Sequence, residues 1–149
     1  MNDIEIIRLV EQLSWDYPKE SQQKAMKSLL EIDVKLINLL IQEDKKSTWE
    51  NALIVLEKLS YSHYIQAVPK LIWLLQDMNW PGVPIAVDIM KKVNINHLIH
   101  CVEEALIKAE AEEDYMWIAG IQSVIDTLNI RVSDFQRKEI YEYLKLADW

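Results

Sequence analysis

Apolar and polar positions along this chain follow a recurring hexad of one polar residue, two apolar, one polar and two apolar. The clearest copies are Lys35-Leu36-Ile37-Asn38-Leu39-Leu40 and Lys70-Leu71-Ile72-Trp73-Leu74-Leu75, which differ only where Trp73 replaces Asn38. Looser copies read Glu5-Ile6-Ile7-Arg8-Leu9-Val10, His97-Leu98-Ile99-His100-Cys101-Val102 and Glu139-Ile140-Tyr141-Glu142-Tyr143-Leu144. Apolar residues at this spacing make one face of an α-helix. The copies start about 30 residues apart, the period of stacked helix pairs in which no pair buries its apolar face without a neighbour.

Spelled out, the pattern predicts a first pair over 3–13 and 20–31, separated by Ser14-Trp15-Asp16-Tyr17-Pro18, where Pro18 begins a helix and Ser14 or Asp16 caps a turn. A second pair covers 33–42 and 48–59, with Asp33 capping its first helix and Ser47 its second, Glu50 completing a capping box. In the third pair Pro69 begins or kinks the first helix, Asp77 and Asn79 satisfy orphan amides at the turn, Trp80 follows, and Pro81 takes the first turn of the second helix. Ala86, Val87, Met90 and Val93 repeat the spacing of Ala52, Leu53, Leu56 and Leu59 at an offset of 34, and a recurrent alanine marks a close approach of helices. A fourth pair, 95–111 and 115–128, is joined by Glu110-Ala111-Glu112-Glu113-Asp114, and a last helix over 134–146 caps the stack.

Composition narrows the class. The 149 residues, half of them hydrophobic, suit one domain, and two glycines and four prolines leave little material for hairpins or phosphate loops. The fold expected is all-α, a single domain over 1–149. The acidic start lacks the positive charge of a signal peptide and no window matches a membrane span, so the chain reads as a soluble cytoplasmic protein with no membrane partner. Cys101 is the only cysteine, which fits a reducing compartment. A formal charge of −8 argues against nucleic acid and is compatible with a basic protein partner.

The run Pro69-Lys70-Leu71-Ile72-Trp73-Leu74-Leu75-Gln76-Asp77, followed by Val83 and Ala86, resembles the HEAT repeat. Within that superfamily, Leu74-Leu75-Gln76-Asp77-Met78-Asn79-Trp80-Pro81 looks like the signature of a small, uncharacterised bacterial family of HEAT-like proteins. The close match covers roughly 66–93. The resemblance implies a right-handed α-solenoid of about four helix pairs and a capping helix, and a tendency to bind other macromolecules. It brings no catalytic residues.

Several constellations hold residue types that chemistry uses. His97, His100 and Cys101, with Glu104, include zinc-ligand types, but the hexad register puts Cys101 with Leu9, Leu39 and Leu74 and the histidines with solvated positions, so a buried inert thiol beside two solvated histidines is expected, with no metal and no cofactor. His63 reads as a surface residue. Trp15, Trp49, Trp80 and Trp117 recur near turns and read as wedges between pairs. Trp73, in a slot that is polar elsewhere, is a candidate binding hot spot, with lateral packing as its structural reading. The carboxylate runs Glu103-Glu104 and Glu112-Glu113-Asp114 read as solvated faces or helix ends, and no Ser-His-Asp ordering, phosphate loop or HExxH motif is present.

These readings favour a non-enzymatic module that binds another protein, with Trp73, Glu110, Glu112, Glu113 and Asp114 as candidate partner-binding residues. Its sharpest version is an immunity protein that places carboxylates over a basic toxin. An adaptor or regulatory scaffold with a non-toxin partner is the alternative. A HEAT-like nucleic-acid enzyme is disfavoured, because Lys24, Lys27, Lys58, Lys91 and Lys92 are balanced by Glu50, Glu57, Asp88 and Asp126 on the second helices.

Overall fold

Short polar side chains start several of the helices. The computed structural model describes residues 1–149 and contains eight α-helices, five 3-10 segments and no strand. Asn2 accepts the Glu5 N–H at 2.9 Å to open α1 (Asp3–Glu11), Asn94 accepts that of Asn96 at 2.9 Å to open α6 (Ile95–Ala111), and Asp114 accepts that of Trp117 at 3.1 Å to open α7 (Tyr115–Thr127). Each oxygen satisfies one of the amides a helix start leaves unpaired. The remaining helices are α2 (Lys19–Leu29), α3 (Trp49–Glu57), α4 (Tyr61–Trp73), α5 (Val83–Met90) and α8 (Lys138–Tyr141).

Four expectations about elements are corrected. The segment expected as a helix over 33–42 is a 3-10 segment, Val34–Leu39, although Asp33 caps it as expected, accepting the Lys35 N–H at 2.8 Å. Ser47 does not cap α3, because its hydroxyl meets that of Ser14 at 2.7 Å and a 3-10 turn over Lys46–Thr48 intervenes. Pro81 precedes α5. Gly82, at φ +87°, is the N-cap and Pro84 lies in the first turn. The last helix is broken into Val132–Asp134, α8 and Glu142–Leu146.

The elements touch in two rows. In the first, α1 contacts Val34–Leu39, which contacts α4, which contacts α6, which contacts α8. In the second, α2 contacts α3 and α3 contacts α5, whereas α7 docks on the 3-10 turn Leu74–Gln76 that ends α4. Ile37, Leu71 and Ile72 share one apolar cluster of 41 buried residues, and Leu36 packs against it, so the hexads do face a common interior. No helix is long and apolar enough to cross a membrane.

Two backbone details fix how neighbouring elements meet. Pro69 lies inside α4 and has no N–H to give to the carbonyl four residues earlier, that of Ile65. His97, in the first turn of α6, fills the gap, its Nε2 lying 3.0 Å from the Ile65 oxygen. His63, 34 positions earlier and in the equivalent turn of α4, reaches the Ile32 carbonyl at 2.9 Å. The offset of 34 that relates Ala52 to Ala86 continues to Gly120 in α7. There a Cβ would stand 1.9 Å from the Leu75 carbonyl oxygen, so the close approach anticipated at the alanines tightens until only hydrogen fits.

Candidate partner-binding groove

A groove of about 490 Å³ crosses the first row where Val34–Leu39, α4 and α6 lie side by side. Its apolar lining is Pro69, Ile72, Trp73, Cys101, Ala105 and Trp117; its polar lining is Asn38, Glu43, Lys70, His100, Glu104 and Lys108. Buried Ile72, Trp117 and Cys101 make the floor, and the volume lies in the range of small-ligand and anchor-residue sites.

Trp73 combines both roles weighed for it. Its half-buried ring packs edge-on against Trp49 at 5.5 Å and lies 5.4 Å from Trp80, while also lining the groove. The turn beyond α4 exists to hold this cluster. Asp77 accepts the Asn79 N–H at 2.8 Å, the Trp80 N–H donates to the Asp77 carbonyl at 3.0 Å, and the Trp80 ring lands 5.1 Å from Trp49. Asn79 contributes its backbone and not a side-chain cap. Trp49 and Trp117 are buried and each donates its indole N–H to a carbonyl, of Gln42 at 2.7 Å and of Ile72 at 2.9 Å. Trp15 is no wedge, since more than half of it is exposed.

On the polar side, Lys70 pairs with Glu43 and its Nζ stands 5.9 Å from the centroid of the Trp73 ring. Lys108 takes part in none of the ion pairs. The acidic turn follows directly. Lys108 and Trp117 flank it in sequence and both line the groove, whereas none of Glu110, Glu112, Glu113 and Asp114 does. Asp114 is committed to capping α7, and Glu113 turns the chain at φ +55°. Glu110, Glu112 and Glu113 form no ion pair and remain free to meet a partner.

The histidines are less solvated than expected. His97 and His63 are half-buried, and because a carbonyl only accepts, each must carry its proton on Nε2. His63 Nδ1 meanwhile lies 2.7 Å from the Ser60 hydroxyl and 3.3 Å from its amide nitrogen, as a cap partner and not a free surface group. His100 is exposed in the groove. Cys101 Sγ lies 3.7 Å from His97 Nε2, but burial pushes its thiol up and the Glu104 carboxylate adds to the shift, so it stays protonated at neutral pH. No group of three or more metal-ligating side chains is gathered anywhere in the fold.

Glu103 overturns the reading of its run as solvated. It is 1 % exposed, and its oxygens accept the Gln136 and Arg137 amides at 2.8 and 3.3 Å and the Arg137 Nε at 2.8 Å. Burial alone would raise its carboxyl. The Arg137 guanidinium and the two amides outweigh burial and hold it below the usual range. Arg137 also bonds Glu104 at 3.0 Å, fastening the C-terminal segment beside the groove. The chain separation of 34 residues hid this pair from the sequence pattern.

No protein-family model matches the chain, and no curated protein or solved structure does either.

Proposed function

We propose that the chain is a HEAT-like, right-handed α-solenoid that works as a non-enzymatic protein-binding module in the cytoplasm, most sharply as an immunity-type protein that blocks a basic toxin. The observation carrying this reading is the groove itself: an apolar floor with part of the Trp73 ring exposed, lined also by the Glu43 and Glu104 carboxylates, on a chain of net charge −8. An aromatic anchor in a partly desolvated pocket supplies affinity, and the surrounding field selects a cationic partner and speeds its arrival. A thiol held protonated and two of the three histidines tied to backbone carbonyls favour binding over catalysis.

The test is co-expression with the product of an adjacent toxin-like reading frame. Protection of the cells, a stable complex on size exclusion, and loss of both in a Glu112→Lys, Glu113→Lys double variant are expected. A complex with a non-toxin partner returns the adaptor reading, and tight DNA binding at low salt returns the nucleic-acid reading.

A further inference from the structure

Within the groove one of the protein's own cations already sits in a site made for a cation. Lys70 and Trp73 are three residues apart on α4, which sets the ammonium over the indole ring, while Glu43, from the chain beyond Val34–Leu39, supplies the countercharge. The Lys70 side chain is 26 % exposed and that of Glu43 50 %, so the pair lies at the surface and exchanges with solvent at little cost. Trp49 and Trp80 pack on Trp73 and leave no cage between the rings, so a ligand meets Trp73 only where it faces the groove.

We propose that Glu43 and Trp73 form a receptor for an arginine side chain of the protein partner, and that Lys70 occupies the receptor until that arginine displaces it. This rests on the reading of the chain as a module for a basic protein. A guanidinium satisfies both halves of the site better than an ammonium does, because its plane stacks on the indole while its forked N–H groups grip a carboxylate at two points. Glu110, Glu112 and Glu113, which form no ion pair and follow the lining residue Lys108 in sequence, add to the negative field that draws a basic segment. Lys108, the unpaired cation of the lining, disfavours a run of consecutive positive charges and selects an arginine flanked by neutral residues.

The full-length chain, with its six tryptophan indoles labelled with nitrogen-15, is titrated with a capped pentapeptide bearing one central arginine between leucine and glycine. The Trp73 indole resonance is expected to shift. Lys70→Met is expected to strengthen binding about three- to fivefold and Glu43→Gln to weaken it by a similar factor, the worth of one exposed cation–π contact or ion pair. Lys24→Met, which removes an exposed charge on α2, controls for the change in net charge and is expected to have no effect. An unmoved Trp73 resonance, or a Lys70→Met affinity no better than that of Lys24→Met, overturns the proposal. The titration needs no protein partner, so its failure removes this site and leaves the binding-module reading to the co-expression test.

Discussion

At Gly120 the difference between a hydrogen and a methyl group decides whether α7 can seat on the end of α4. A Cβ there meets the Leu75 carbonyl oxygen at 1.9 Å, and backbone cannot yield as a side-chain tip would. Gly120→Ala is therefore expected to destabilise by about 3 kcal/mol, at the upper end of overpacking effects, despite the better helix propensity of alanine. Thermal or urea unfolding measures it, and a midpoint at or above that of the parent refutes the packing. Glu103 contributes to the acid limb of stability. Its folded carboxyl lies below the ordinary value of 4.5, so the stabilisation is complete above that value and is lost as pH falls through the lowered folded one. Glu103→Gln is expected to cost about 1.5–3 kcal/mol at neutral pH, as charged hydrogen bonds are lost, and to flatten the fall in stability below pH ~4.5. Urea midpoints between neutral and acid pH test both, and parallel acid limbs in the two proteins count against the assignment. Neither residue stood out in sequence: Gly120 required extending the offset of 34 one step further, and Glu103 looks like any acid until Arg137 folds back onto it.

Among the elements, α4 depends on α6 for a hydrogen bond that its own sequence forbids. His97→Ala leaves the Ile65 carbonyl without the donor that Pro69 cannot supply, and is expected to cost about 1–3 kcal/mol. In the same background, Pro69→Ala restores the i→i−4 donor. A double-mutant cycle should therefore show about 1 kcal/mol of coupling, the double variant being more stable than additivity allows. Strict additivity would mean that the histidine and the proline do not share that carbonyl. Trp80→Ala removes a ring from the cluster with Trp49 and Trp73, and because Trp80 is only half-buried its cost is expected near 3 kcal/mol, the lower end for tryptophan truncation. An unchanged melting temperature would show that the ring adds nothing. The element pattern was legible wherever the hexad had a full helix around it, as in α6, whose span of Ile95–Ala111 matches the expected 95–111. It failed at Val34–Leu39, where the hexad closes as 3-10 turns although Asp33 caps it, and where the hexad Glu139 to Leu144 fell across the break between α8 and Glu142–Leu146. The hexad over His97 to Val102 also misaligned the histidines, because His97 corresponds to His63 at the start of α4 and not to Lys70 near its end. The groove was visible only through Trp73, since its polar lining comes from segments tens of residues apart that only the fold brings together.

For the molecule as a whole, 41 buried residues from α1 to Leu144 form a single apolar cluster, so cohesion depends on how continuous those contacts are. Arrays whose neighbours couple weakly unfold from an end, whereas tight coupling makes a lesion at one end felt at the other. Leu144→Ala tests which regime applies. The residue is 6 % exposed in the C-terminal segment, so its truncation is expected to cost about 2–3 kcal/mol through lost burial and a residual cavity. Five of the six tryptophans precede the C-terminal segment, so fluorescence in a Trp149→Phe background reports from the rest of the fold while far-UV circular dichroism reports from every helix. If the rows unfold together, fluorescence and dichroism transitions in urea remain superimposed in the variant and both midpoints fall by the same amount. A fluorescence midpoint that stays at the parent value while dichroism develops an early phase would show that the segment fastened by Arg137 unfolds by itself. The groove would then keep its Trp73 side while losing the Glu104 contact that the C-terminal segment provides.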